Sequence, residues 1–210
     1  KKKIKNILKK KKKYQKYFLK DNIKKEISDG LAEVGDWTYG NPNIMRWDWK
    51  DKLIVGKYSS IGPGVEIIFG GNHRSDWITT SPLPAGTFQY FEKFTNAKDI
   101  KDFITSKGNI VIGNDVWIGA KVLILSGSTI GDGAVVAAGS VIAGNVEPYT
   151  IVCGNPFRAI KKRFNEDQIK KLLKIKWWDF DDNKVNAIAK TLCSENIDQF
   201  FKLLENKKNY

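Results

Sequence analysis

The sequence predicts a mainly β protein built as a parallel β-helix. A β-branched residue recurs at every sixth position along one stretch of the chain: Ile112, Ile118, Ile124, Ile130, Val136 and Ile142. The same period occurs earlier, at Val55, Ile61 and Ile67. Six-residue repeats are typical of parallel β-helices, in which each coil must be covered by its neighbours. Residues 69–108 separate the two repeat blocks and lack the period, so they are predicted to form an excursion from the helix.

The period predicts which side chains point inward. β-Branched residues have stiff side chains and favour extended backbone, so they suit a stack of short strands. Three such strands complete a triangular coil of roughly eighteen residues. A second set of small or β-branched residues follows the first by four positions: Ser59, Val65, Val116, Val122, Ser128, Ala134, Ser140 and Val146. After the excursion the period is expected to run without interruption from residue 109 to residue 152.

Residues 1–30 are predicted to form a basic N-terminal helical extension. Positions 1–25 contain thirteen lysines and one acidic residue, and apolar residues recur among them at helical spacing. Two interpretations remain open: the apolar stripe docks on an oligomer of the same chain, or the helix attaches peripherally to an anionic membrane surface. The rest of the chain holds 23 basic and 22 acidic residues, which argues against a nucleic-acid partner.

The remaining chain divides into two predicted segments. Residues 31–156 are assigned to the β-helix domain with its loop 69–108, beginning with an aromatic, irregular stretch. Residues 157–210 are predicted to be a C-terminal helical segment, because EDQIKKLLKIK has helical apolar spacing. Two cysteines, Cys153 and Cys193, are too few for a disulfide framework in a chain of this length, which favours the cytoplasm.

The candidate catalytic residue is His73, the one histidine of the sequence. It lies just inside the excursion, after Gly70 and Gly71. The ordinary pKa of histidine suits proton abstraction near neutrality, so a general base is the predicted role. No clustered Cys and His residues support a metal site. Gly131 and Gly133 lack the third glycine of a dinucleotide-binding loop, and the six-residue period accounts for both.

Three motifs carry a resemblance to a known family. They are NHRSDW at residues 72–77, GNDVWIG at 113–119 and GNP at 154–156. Together with the repeats, they make residues 31–185 similar to the xenobiotic acetyltransferase class of hexapeptide-repeat acyltransferases. That class includes chloramphenicol and streptogramin acetyltransferases and many saccharide O-acetyltransferases. The resemblance implies a left-handed β-helix, a homotrimer with active sites between subunits, and acetyl-CoA as the donor substrate.

The resemblance also implies a mechanism and an acceptor class. His73 stands at the position of the family's catalytic histidine, which removes a proton from an acceptor hydroxyl or amine during direct attack on the thioester. A saccharide-type small molecule is the expected acceptor, because TTSPLPAG at residues 79–86 departs from the drug-modifying members. An antibiotic acceptor is the alternative, and a catalytically silent scaffold is a more distant one. A rival mechanism has Cys153 as a nucleophile that carries the acyl group. The alternative interpretation of Cys153 is a small residue of the core.

The predicted site residues fall into two groups. The donor group comprises a tryptophan that matches the family, a run of small residues suited to a pantetheine groove and a basic cluster suited to phosphates: Trp117, Ala137, Ala138, Gly139, Arg158, Lys161, Lys162 and Arg163. The acceptor group is drawn from the aromatic segment and the excursion: Asp36, Tyr39, Asn72, Asp76 and Trp77. Asp76 is expected either to pair with Arg74 or to orient His73. The alternative for the donor residues is structural, as interface packing or a solvated basic face.

Overall fold

The structure, a computed structural model, describes residues 17–47, 50–85 and 91–206. The chain divides into two compact units, one ending at Asn165 and the other beginning at Glu166. The first unit is mainly β and holds the repeats, and the second is helical. Within the described ranges, no helix is long and apolar enough to cross a membrane.

Short strands make up most of the regular structure of the first unit. In chain order they are β1 (Ala32–Val34), β2 (Asn43–Arg46), β3 (Leu53–Val55), β4 (Ser60–Ile61), β5 (Glu66–Phe69), β6 (Asn72–His73), β7 (Ile104–Thr105), β8 (Ile110–Ile112), β9 (Trp117–Ile118), β10 (Leu123–Leu125), β11 (Thr129–Ile130), β12 (Val135–Val136), β13 (Val141–Ile142), β14 (Asn145–Val146), β15 (Thr150–Gly154) and β16 (Phe157–Lys162). A single 3₁₀ turn, Thr95–Ala97, lies in the described part of the excursion.

Fourteen of these strands form three sheets that wind around one core, and β6 and β7 form a separate two-stranded sheet. The first sheet has the order β1-β3-β8-β11-β14, the second β16-β15-β12-β9-β4 and the third β13-β10-β5-β2. From β3 onward the chain visits the first, second and third sheets in turn, apart from the excursion. Every pairing within these three sheets is parallel except that of β15 with β16. The predicted parallel β-helix is confirmed, and its left-handed winding stays a prediction.

The period residues fill the core, as expected. In the third sheet, Ile67, Ile124 and Ile142 stand in register on successive strands, and each is fully buried. Burial of an isoleucine side chain contributes about 1.5–3 kcal/mol to folding. The offset residue Ser59 is also fully buried, and its hydroxyl donates to the Gly113 carbonyl at 2.8 Å. The inward direction predicted for both sets of residues therefore holds.

The last coil is shorter than the sequence pattern suggests. In the preceding coil Ile112 pairs with Ile130, a separation of three six-residue periods. Ile130 pairs in turn with Val146 rather than with the residue at position 148, so the next coil is two residues shorter. The prediction of an uninterrupted period to residue 152 is wrong, because the chain omits two residues after Ile142. Val146 consequently occupies a period position rather than the offset position.

The excursion interrupts the chain without disturbing the stack. Val55 pairs directly with Ile112, and Ile67 pairs directly with Ile124, although the whole excursion lies between these partners in sequence. It departs after β5 in the third sheet and returns to β8 in the first. These are the sheets that an uninterrupted chain would visit in succession. The register on both sides is therefore the one a continuous repeat would have.

One corner of the helix repeats an unusual backbone conformation. Successive coils place a residue with positive φ there, and we call this set the left-handed corner column: Trp37, Tyr58, Asp115, Gly133 and Tyr149. The Gly133 amide donates to the Asn114 carbonyl, and the Tyr149 amide donates to the Asp132 carbonyl, both at 2.8 Å. A Cβ atom on Gly133 would lie 2.5 Å from the Tyr149 ring. Glycine is required at position 133 because the tyrosine ring occupies that space.

The chain ends differ in part from the predictions. Residues 1–16 of the predicted basic extension lie outside the described residues, and two short helices follow, α1 (Leu19–Asn22) and α2 (Lys24–Ser28). The predicted helical segment 157–210 begins with a strand, because β16 pairs antiparallel with β15. Helices start at Glu166: α3 (Glu166–Ile175), the 3₁₀ turn Trp177–Asp179, α4 (Asp182–Leu192) and α5 (Ile197–Asn206).

Candidate active site

His73 lies in a two-stranded antiparallel sheet that joins the start of the excursion to its end. Strand β6 pairs antiparallel with β7, which brings His73 opposite Ile104 and Asn72 opposite Thr105. The Asn72 side-chain amide donates to the Thr105 carbonyl at 3.1 Å and adds a second link between the two strands. Asn72 is thus a structural support beside the histidine, and the His73 side chain remains exposed.

The imidazole ring of His73 is oriented by a main-chain group. Its Nδ1 atom lies 2.8 Å from the Thr80 carbonyl oxygen. Because a carbonyl oxygen can only accept a hydrogen bond, this contact places the ring proton on Nδ1. In the neutral ring, Nε2 then carries the free electron pair. This is the tautomer that a general base requires for receiving a proton at Nε2.

Asp76 pairs with Arg74, the first of the two roles expected for it. The Arg74 Nε atom donates to Asp76 Oδ1 at 2.7 Å, and Nη2 contacts Oδ2. The hydrogen bond from Arg74 lowers the pKa of the Asp76 carboxyl to about 2. The Arg74 guanidinium also lies over the Trp77 ring, 5.2 Å from its centroid. Orientation of His73, the second expected role, is performed by the Thr80 carbonyl.

The outer face of the second sheet aligns several predicted residues in one row. The register places Ser60, Trp117, Val135 and Ile151 opposite one another on β4, β9, β12 and β15. We call this set the outer row. Trp117 is 60% exposed, whereas its neighbour Ile118 is fully buried. The row thus faces away from the core.

Residues at both ends extend the outer row. Tyr39, which is 48% exposed, bridges to Ser60 at one end. Lys161 on β16 pairs with Ile151 at the other. The row therefore connects a predicted acceptor residue, the predicted donor tryptophan and a predicted phosphate-binding lysine.

The basic cluster of the C-terminal strand divides into two pairs. Arg158 pairs with Cys153 and Lys161 with Ile151, and both of these basic residues are exposed. Lys162 instead extends its Nζ atom to 3.5 Å from the Pro148 carbonyl. The Arg163 guanidinium donates to the Gly133 carbonyl at 2.6 Å. The structure brings Arg158 and Lys161 to the row's side of the strand and engages Lys162 and Arg163 with the coils.

The predicted pantetheine groove has the small side chains expected of it. Ala137 is half-buried, whereas Ala138 and Gly139 are exposed. A Cβ atom added to Gly139 would meet nothing within 4 Å, so the space beside it is open. The amides of Ala137 and Gly139 already donate to the carbonyls of Val152 and Ala120 at 2.9 Å. These two amides serve the stack rather than a ligand.

The predicted acceptor residues of the aromatic segment do not belong to the two-stranded sheet that holds His73. Asp36 binds Lys20 Nζ at 2.5 Å, and this hydrogen bond lowers the pKa of the Asp36 carboxyl. Strand β5, which leads into the excursion and His73, belongs to the third sheet, whereas Tyr39 and Trp117 belong to the second. Within one chain, His73 thus follows a strand of one sheet, whereas the outer row runs along another.

The structure adds two residues that the sequence analysis did not identify. Thr80 contributes a carbonyl oxygen, and a main-chain atom leaves no side-chain signature in a sequence. Trp47, which is 50% exposed, covers the backbone of Gly71, where a Cβ atom would lie 3.2 Å from the indole ring. The Gly70-Gly71 pair before the histidine was the available signal for this close approach.

The two cysteines occupy different elements, and neither lies beside His73 in a strand pairing. Cys153 is half-buried in β15, opposite Arg158, and Cys193 is exposed at the end of α4. Among the described residues, no group of three His, Cys, Asp or Glu side chains is arranged to hold a metal ion.

Comparison with known proteins identifies the family. A model described as bacterial transferase hexapeptide (six repeats) matches residues 109–144. A chloramphenicol acetyltransferase from Klebsiella aerogenes is 43% identical over 149 residues, which cover 70% of this chain and 69% of that protein. The chain belongs to the hexapeptide-repeat acetyltransferases.

The chain is also similar to two further proteins. A probable macrolide acetyltransferase from Lysinibacillus sphaericus is 46% identical over 150 residues, covering 69% of this chain and 79% of that protein. A solved hexapeptide-repeat acetyltransferase from Vibrio cholerae, complexed with acetyl-CoA, is 30% identical with a TM-score of 0.48. That match covers 64% of this chain and 62% of the Vibrio chain. The expected family and the expected enzyme class, acyltransferase, are confirmed by the relatives of known sequence.

Proposed function

We propose that this chain transfers an acetyl group from acetyl-CoA to a hydroxyl group, with His73 as the general base. The observation that carries the proposal is the contact of His73 Nδ1 with the Thr80 carbonyl, which leaves Nε2 free to accept a proton. As Nε2 removes the hydroxyl proton, the acceptor oxygen attacks the thioester carbonyl. Collapse of the tetrahedral intermediate breaks the C–S bond, and the proton on Nε2 passes to the departing thiolate.

Direct transfer in this proposal needs no acyl-enzyme. Proximity of the two bound substrates lowers the barrier, because a bimolecular reaction becomes effectively unimolecular. Cys153 is half-buried on a β-strand, and its register partner is Arg158, with no described histidine beside it. An adjacent base is the usual activator of a nucleophilic cysteine in a triad-like site, and Cys153 has none among the described residues, so direct transfer is the mechanism proposed.

Donor binding is proposed for the outer face of the second sheet. Trp117 offers an exposed ring in the row that ends at Lys161, and Arg158 lies on the same strand as Lys161. A guanidinium and an ammonium are suited to the phosphates of coenzyme A. The open space beside Gly139 is consistent with passage of the slender pantetheine arm.

We propose a homotrimer in which two subunits complete each active site. His73 follows the third sheet, whereas Trp117 and Tyr39 lie on the second, so a neighbouring copy can supply the second group. The half-exposed apolar side chains of Ile68 and Leu125, paired on the third sheet, supply a surface for such contact. Sedimentation analysis would give the number of subunits.

The acceptor is proposed to be an antibiotic-type hydroxyl. The relatives named for chloramphenicol and macrolides support this class, which was the alternative in the sequence analysis. A saccharide hydroxyl is the second candidate, and the departure at residues 79–86 favours it. Peripheral membrane contact through the lysine-rich N-terminus and the cytoplasmic location both stay predictions.

A thiol-release assay tests the function. The protein is incubated with acetyl-CoA together with one acceptor at a time. The acceptors are chloramphenicol, a macrolide, a streptogramin and nucleotide-linked sugars, and the free coenzyme A released is measured. Release with one antibiotic, together with a product heavier by one acetyl group, would support the first acceptor class. Release with sugars alone would select the second. Binding of coenzyme A without release of free coenzyme A from acetyl-CoA in the presence of any acceptor would favour the non-catalytic scaffold.

A further inference from the structure

Arg163 makes a set of contacts that differs from the phosphate-binding role expected from its sequence position. Its amide donates to the Tyr149 carbonyl at 2.8 Å, immediately after β16 ends. Its Nη1 atom donates to the Gly133 carbonyl at 2.6 Å and lies 3.5 Å from the Asp115 carboxylate. The guanidinium therefore contacts backbone and side-chain groups of the helix rather than reaching away from it.

These contacts follow the left-handed corner column across three coils. Asp115, Gly133 and Tyr149 occupy equivalent positions on successive coils. The guanidinium also lies 5.5 Å from the Tyr149 ring centroid and 5.4 Å from that of Phe164. A planar cation with several donors suits this arrangement, because it can stack on rings while donating in its own plane. Lysine could not reproduce it.

The column contains an acidic group that Arg163 partly neutralises. Burial raises the pKa of the Asp115 carboxyl, and the charge of Arg163 opposes this rise. About a third of each side chain remains exposed, 30% for Arg163 and 32% for Asp115. The pair therefore lies at the rim of the core, where its geometry matters more than its net energy.

Arg163 thus connects two parts of the proposed donor site. Strand β16, which ends at the residue before Arg163, carries Arg158 and Lys161. Asp115, its partner across the column, lies two residues before Trp117 in the same turn. Strand β16 is an edge strand that pairs only with β15, and its pairing contains an irregularity between Ile151 and Val152. Arg163 fixes the end of this strand.

We propose that Arg163 is a positioning residue that aligns β16 with the Trp117 turn, so that Arg158 and Lys161 meet the phosphates of coenzyme A. This inference rests on the proposed function. It assigns Arg163 no contact with the donor itself. Loss of Arg163 should therefore weaken binding of the nucleotide half of coenzyme A and leave the pantetheine half unaffected.

Calorimetric titration with coenzyme A and with pantetheine separates these halves. For Arg163→Ala we expect the Kd of coenzyme A to rise about tenfold, the lower range for loss of an outer supporting contact, and the Kd of pantetheine to stay within twofold. Arg163→Lys should resemble Arg163→Ala, since it keeps the charge but not the planar fork. Lys170→Ala removes one exposed charge from the helical unit and should bind both ligands as the wild type does. Asp115→Asn serves as a second variant if Arg163→Ala does not fold.

The outcomes are distinct. If a folded Arg163 variant binds coenzyme A with the Kd of the wild type, the positioning role is overturned and the proposed function stands. Equal weakening for coenzyme A and pantetheine would also overturn it, because a general structural role predicts that result. A wild type that binds neither ligand would overturn both proposals. Wild-type binding of coenzyme A without acetyl transfer would contradict the proposed function alone, and the comparison of the two ligands would still decide the role of Arg163.

Discussion

The Nδ1 atom of His73 lies 2.8 Å from the carbonyl oxygen of Thr80, further along the same excursion. The orienting group is therefore part of the loop that carries the histidine. A carboxylate in this position would favour the charged ring, whereas a carbonyl fixes the tautomer without adding a charge. The neutral ring is the form that can accept a proton.

Replacement of His73 by asparagine should separate orientation from catalysis. The asparagine amide can still donate to the Thr80 carbonyl, but it has no basic nitrogen in place of Nε2. We expect turnover to fall at least ~10²-fold, the scale of general-base catalysis, with the melting temperature unchanged. Steady-state thiol release and a thermal melt are the measurements. Turnover close to that of the wild type would remove His73 from the mechanism.

The pair of Arg74 and Asp76 should persist in acid. Arg74 lowers the pKa of the Asp76 carboxyl from 3.8 to about 2. The Asp76 carboxylate should therefore stay ionised until the pH falls through that lower value. The contribution of the pair is therefore complete above pH 4 and lost near pH 2. Carboxyl ¹³C titration by NMR should give a midpoint below 3, and Arg74→Gln should return it toward 3.8. A wild-type midpoint near 4 would contradict the contact.

Trp117 should affect donor binding more than stability. The ring is 60% exposed, so Trp117→Ala removes little buried surface from the folded chain. Loss of a ring that covers the donor should raise the KM for acetyl-CoA about tenfold, which corresponds to ~1.4 kcal/mol. Ile160→Ala is a matched control, because that side chain is 58% exposed on β16, an edge strand of the same sheet. Similar KM values for the two variants would show that Trp117 does not contact the donor.

Two glycines with nearly equal φ values allow strain to be separated from steric overlap. Gly133 has φ 67° and lies against the Tyr149 ring, whereas Gly30 has φ 73° and has free space where a Cβ atom would go. Alanine at either position costs roughly 1–2 kcal/mol for the left-handed backbone. Gly133→Ala should cost a further ~1–3 kcal/mol for overpacking. Urea denaturation measures both; equal losses would show that the ring moves aside freely.

The sequence predicted the core better than the ends of the helix. Period residues such as Ile118 and Ile124 are fully buried, because one side chain per strand must fill the axis of every coil. The sequence pattern does not reveal the two-residue omission after Ile142, because a valine at position 146 fits both the offset position and the period position. Strand β16 was missed because its exposed lysines and arginine resemble a solvated helical face.

The candidate site could be proposed from the sequence where it consists of side chains. His73 and Trp117 stand out by residue type, and the structure exposes both. Separation of Lys161 from Arg163 was not predictable, because the irregularity in the pairing of β15 with β16 sets which side chains share a face. The Thr80 carbonyl has no equivalent in the pattern of side chains.

The unchanged register across the excursion has a consequence for how this enzyme can diversify. The excursion leaves the helix after Phe69 and returns at Ile110, and the pairing register of the strands on either side is unchanged. The excursion can therefore be replaced without altering the coils. Segments of other lengths can be exchanged between the same two junctions while the coils beneath keep their alignment. If the proposed function holds, residues of the excursion such as Asp76 and Trp77 can change while the proposed donor residues Trp117 and Lys161 keep their places in the coils.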